Sequence, residues 1–123
     1  MTLLEDGHVQ FVQPDLSKTG GVTEAVRIAA MASALKLTVN PHTSATAVNM
    51  AKTIHYLCAV DNPGYFEGDV TSLNPFRDHL ADRAPYSLDA DGCVRPHDGV
   101  GIGLKVITDF IAEHPLIEGP CYV

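Results

Sequence analysis

At 123 residues the chain is long enough for one domain with its own core, and 46% apolar with 19% charged residues is a globular composition. A net charge of −7 with no Lys/Arg-rich run lacks the electrostatic footprint of nucleic-acid binding, and no apolar run approaches the ~20 residues of a membrane helix. Cys58, Cys93 and Cys121 are widely spaced with no CxxC pattern, which argues against a disulfide framework or zinc site and predicts a reduced, cytoplasmic setting.

In chain order, "TLLEDG" reads as the end of a helix with Gly7 as its C′ residue, and the start shows no basic and apolar pattern of a signal peptide. "HVQFVQPD" predicts a buried strand of about five residues, stopped by Pro14. After the loop "LSKTGG", the segment "VTEAVRIAAMASALK" places Val22, Ala25, Val26, Ala29, Ala30, Ala32 and Leu35 on one broad helical face. "LTV" is a short strand and "NPH" its exit. "TSATAVNMAKTIHYLCAV" predicts a second helix capped by Thr43 or Ser44, with Ala47, Met50, Ala51, Ile54 and Leu57 as its core stripe. "DNPG" is a turn and "YFEGD" a third strand or its exit. This alternation argues a parallel sheet with crossover helices, hence an α/β fold. Beyond it the chain is rich in Pro, Gly and Asp, with a hairpin-like "YSLDADGCVRP", a short helix "ITDFIAEH" and an extended tail "PLIEGPCYV".

Functional residues of parallel α/β folds collect at the carboxyl ends of strands. Three strand exits here each carry a titratable side chain: Asp15, His42 and Glu67. Taken singly, Asp15 reads equally as a loop or capping residue, His42 as a helix-start residue and Glu67 as a solvated charge. Three in succession is the pattern of an active-site rim. An aspartate beside a histidine orients the imidazole and favours its charged form, so the pair can take up a proton and return it. A glutamate opposite can donate to or balance a substrate carboxylate if burial keeps it protonated. "GVGIG" at 99–103 lacks dinucleotide-loop spacing and reads as a turn. Lys18 and Lys52 read as surface lysines, and His8, His55, His79, His97 and His114 share no ligand spacing.

The segments "VQPDLSKTGGVTEAVRIAAMA", "VNPHTS" and "GVGIGLKV" together resemble the mandelate racemase and muconate lactonizing enzyme family of the enolase superfamily, over nearly the whole chain. The resemblance implies the C-terminal portion of a (β/α)8 barrel. About three parallel strand–helix units, the family's strands six to eight, would occupy residues 1–92. Residues 93–123 would form the return segment and tail toward a capping domain. It also implies His42 as general base, Asp15 as its partner and Glu67 as the contact to the substrate carboxylate. The spacing of 27 residues between Asp15 and His42 suits one strand–helix–strand unit.

The resemblance further implies an enzyme that uses magnesium to abstract the proton alpha to a carboxylate, either a sugar-acid dehydratase or a 2-hydroxy acid racemase. The acidic metal ligands and second base of that family lie on earlier strands with no counterpart here, and a full barrel takes ~250 residues. The expectation is therefore a partial barrel that holds no metal and has no activity alone. Its open strand edges predict self-association or a complementing chain, with no nucleic-acid or membrane partner. The alternatives are a non-catalytic remnant and a split-barrel subunit.

Overall fold

The computed structural model describes residues 7–119. The half-helix read before Gly7, and Cys121, lie outside the described residues. Strand β1 (Phe11–Val12) leads into helix α1 (Val22–Ala34), strand β2 (Thr38–Val39) and helix α2 (Ala47–Ala59). Two short helices follow, α3 (Pro75–Asp78) and α4 (Thr108–Glu113). The architecture is α/β with parallel pairing, as the alternation predicts.

The two strands pair in parallel, Phe11 against Thr38 and Val12 against Val39. Each is two residues long, so the first is shorter than the expected five. The third parallel segment is also shorter and lies earlier than "YFEGD". Val39 forms a parallel bridge to Pro63, with hydrogen bonds from Val39 N to Asn62 O and from Gly64 N to Val39 O. A Cβ at Gly64 would sit 1.7 Å from Asn40 Oδ1 and displace that side chain. That same oxygen accepts the Tyr65 N–H, so the chain leaves the sheet at Gly64 and Glu67 lies on the outgoing loop.

Helix α1 begins at Gly21, whose φ of 87° favours glycine and whose carbonyl accepts the Ala25 N–H. It ends in a Schellman arrangement: Leu37 N donates to Ala32 O, Lys36 N donates to Ser33 O, and Lys36 takes φ 58°. Only part of its expected apolar face is covered. Ala25, Ala29 and Ala32 are buried, whereas Val22, Val26 and Leu35 are exposed. The covering surface is α2, whose Tyr56 hydroxyl donates to Ala25 O across the interface. Burial pushes that hydroxyl up to about 12. The α2 stripe of Ala47, Met50, Ala51, Ile54 and Leu57 is buried as expected.

Helix α2 starts later than expected. Its cap is Thr46, which accepts the Asn49 N–H, rather than Thr43 or Ser44. Thr43 gives both its hydroxyl and its N–H to Glu67, and Ala45 takes φ 71°, so the chain cannot be helical before Thr46. The "YSLDADGCVRP" segment closes a turn through Asp89 N to Cys93 O and Gly92 N to Asp89 O, without becoming a strand pair. Its expected pairing is replaced by a short antiparallel contact, Ala81 with Val106, which ties the return segment to residues just after α3. Phe76 of α3 packs edge-on against Phe110 of α4.

Candidate active site

Asp15 sits in the turn after β1, because its Oδ1 accepts the N–H of Ser17 two residues on and its carbonyl accepts from Lys18 and Thr19. The turn buries the carboxylate, leaving Asp15 6% exposed. His42 sits in the loop after β2, with buried Pro41 and Thr43 on either side, and its ring is 41% exposed. The two side chains meet: His42 Nδ1 lies 2.8 Å from Asp15 Oδ2. No described residue bonds to His42 Nε2, so this nitrogen is the one available to a substrate.

Glu67 is brought to the same place by a different route. Its Oε2 accepts the Thr43 N–H at 3.2 Å, and its carbonyl accepts the Thr43 hydroxyl, so it is tied to the residue next to His42. It makes no direct bond to Asp15 or His42 among the described residues. It is exposed, so the burial that a proton-donating glutamate depends on is not supplied by these residues.

The electrostatics of Asp15 are set by its neighbours. Burial pushes its carboxyl up, but hydrogen bonds from Ser17, His42 and Asn49 more than offset this and leave it at about 2. Lys18 Nζ is 3.6 Å from Oδ2. Lys52 is half-buried, donates to Leu16 O, and is pushed down by burial against the opposing pull of Asp15. Lys18 is exposed, as expected of a surface lysine, while half-buried Lys52 stands closer to the site than that role. Asn49 and Thr43 were not among the sequence candidates. Asn49 falls outside the α2 stripe of Ala47, Met50, Ala51, Ile54 and Leu57, and no local pattern marks it.

The magnesium ion implied by the resemblance does not fit the described residues. Both Asp15 oxygens already face hydrogen-bond donors or cationic groups, and Glu67 Oε2 faces an N–H. No set of three His, Cys, Asp or Glu side chains converges among the described residues. A cavity of about 650 Å³ is lined by Ile54, Leu57, Phe66, Tyr86 and Leu88, among others, but by none of Asp15, His42 and Glu67. The dyad instead opens onto the surface. No helix among the described residues is long and apolar enough to cross a membrane.

Comparison with known proteins gives a consistent set of relatives. A family model described as enolase C-terminal domain-like matches residues 1–110. The D-galactonate dehydratase of Ralstonia pickettii (strain 12J) is 30% identical over 115 residues, which is 90% of this chain and 30% of that protein. The D-galactarolactone cycloisomerase of Agrobacterium fabrum is 32% identical over 118 residues, 89% of this chain and 30% of that protein. Among solved structures, a member of the enolase superfamily from Polaromonas sp. JS666 superposes with a TM-score of 0.87 at 49% identity, covering 99% of this chain and 32% of that one. A mandelate racemase/muconate lactonizing enzyme from Sulfitobacter sp. gives 0.77 at 30% identity, covering 98% and 32%.

Proposed function

The chain belongs to the enolase C-terminal domain-like family, and from that premise we propose that it carries the base half of an enzyme that abstracts the proton alpha to a carboxylate. The chain spans 30% of the length of the curated relatives it matches, so the activity is that of a complete assembly of which this chain supplies one part. The substrate class is a sugar acid, in line with the names of the dehydratase and cycloisomerase relatives, and the reaction is dehydration, in line with the name of the first. Racemisation of a 2-hydroxy acid shares the same first step. Residues 1–92 correspond to three barrel units and residues 93–123 to the return segment.

The observation that carries this reading is the 2.8 Å contact between His42 Nδ1 and buried Asp15 Oδ2. In the proposed chemistry His42 Nε2 takes the alpha proton while Nδ1–H stays on Asp15. Asp15, at about 2, remains ionised at neutral pH and balances the imidazolium that forms. The protonated ring then returns its proton to the leaving hydroxyl. Glu67 faces the substrate carboxylate and needs a covering surface to hold a proton there. Magnesium belongs to the complete assembly, held by residues other than those described. The 123-residue chain alone, given magnesium and a panel of aldonic and aldaric acids, is expected to show no turnover. Turnover by the purified chain would contradict the part-enzyme reading.

A second reading, a subunit acting through association with its own copies or a complementing chain, is favoured by a specific observation. Phe11 on β1 and Val22 and Val26 on α1 are exposed beside a parallel sheet of two short strands.

A further inference from the structure

The two oxygens of Asp15 keep different company. Oδ2 faces His42 Nδ1 at 2.8 Å. Oδ1 accepts the Ser17 N–H at 2.8 Å, the Ser17 hydroxyl at 2.6 Å and the Asn49 amide at 3.2 Å. Asn49 lies in the first turn of α2 and is 2% exposed. Its amide NH2 points at two acceptors, Asp15 Oδ1 and, at 3.5 Å, Ser44 O. The orientation leaves Asn49 Oδ1 buried without a hydrogen-bond partner. An orphaned buried acceptor destabilises a fold, and an apolar side chain of the same shape would avoid it. Packing alone therefore does not account for an asparagine here, whereas its bond to the Asp15 carboxylate does.

We propose that Asn49, with Ser17, is a clamp that keeps Asp15 Oδ1 occupied and so commits Oδ2 to His42 Nδ1–H. Both are positioning residues. A carboxylate free to rotate could offer either oxygen to the imidazole and would hold its plane loosely. With Oδ1 fixed, Nδ1 keeps its hydrogen and Nε2 is left as the free base. The other charged groups facing Asp15 are Lys18, near Oδ2, and Lys52, which acts through space while bonded to Leu16 O. The purpose of the clamp rests on the proton-abstraction reading above, but its test does not.

The test is NMR on the full chain. The Asp15 carboxyl carbon is titrated and the His42 ring nitrogens report the tautomer, in the parent, Asn49→Leu and Ser17→Ala. A hydrogen bond to a charged group is worth enough to move a titration midpoint by about one pH unit, or roughly tenfold in proton affinity. Asn49→Leu is expected to raise the Asp15 midpoint by about that much and to lower the fraction of His42 carrying hydrogen on Nδ1. The stability lost in Asn49→Leu at neutral pH should fade as pH falls through the Asp15 midpoint, whereas a purely structural role for Asn49 would cost the same at every pH. An unchanged Asp15 midpoint and His42 tautomer in both variants would overturn the clamp. If Asn49→Leu does not fold, Ser17→Ala, at an exposed position, decides in the same way. Loss of the clamp leaves the proton-abstraction reading standing, since that is read from substrate exchange. Absence of substrate exchange would leave these NMR shifts unaffected.

Discussion

At the scale of residues, Asp15 links structure and chemistry. Its carboxyl lies at about 2 in the folded chain against an ordinary 3.8. A depressed carboxylate contributes stability that is present above its unfolded value and is lost as pH falls through the folded one. The shift corresponds to roughly 2 kcal/mol, lost between about pH 4 and pH 2. Urea unfolding across that range is expected to show Asp15→Asn with a flatter pH dependence than the parent, by about that amount. Equal slopes would mean that Asp15 is not held as described. Asp15 and His42 were legible because each follows a short apolar run and a proline-containing exit. Asn49 and Thr43 were not, because their partners lie 34 and 24 residues away and only the folded chain brings them together. Glu67 was placed beside the pair, but its exposure could not be read from a strand exit alone.

At the scale of elements, the helices were more legible than the strands. Both helices repeat apolar residues at helical spacing over 13 residues, whereas each strand is reduced to two paired residues and carries little alternation. Helix starts were harder to place. Thr43 and Ser44 have capping side chains, as does Thr46, and the bonds to Glu67 together with the left-handed Ala45 remove the first two from the choice. Thr46→Ala is accordingly expected to lower stability by about 1 kcal/mol in thermal or urea unfolding, and Ser44→Ala to have a much smaller effect. At the other end of α1, Lys36 occupies a left-handed conformation that glycine adopts without strain. Lys36→Gly is expected to raise stability by about 0.5 kcal/mol, the relief of strain being partly offset by a freer unfolded chain. A loss of stability in that variant would contradict the Schellman ending.

At the scale of the whole molecule, the parallel pair β1–β2 and the bridge at Pro63 form a narrow sheet, and half of the α1 apolar face is uncovered. This leaves apolar surface that association would remove from water. Light scattering after size exclusion is expected to show a mass above the monomer that falls on dilution. A concentration-independent monomer would count against the self-association reading, and one that also shows no exposed apolar surface would count against the complementing-chain reading as well. The parallel α/β character was legible because the βα rhythm repeats. In the loop-rich second half the short helix in "ITDFIAEH" was legible, at Thr108–Glu113, but the rest was not, because its order comes from contacts such as Ala81 with Val106 and Phe76 with Phe110 that no local pattern announces. As proposed, His42, oriented by Asp15, acts as a base for carbon acids. The most direct measurement is deuterium incorporation at C2 of D-galactonate in D2O, read by proton NMR. The catalyst would be a chimera in which this chain replaces the matching part of the Ralstonia pickettii D-galactonate dehydratase. Exchange is expected to fall by about 10²–10⁴-fold in His42→Asn. Exchange that persists undiminished in that variant would contradict it.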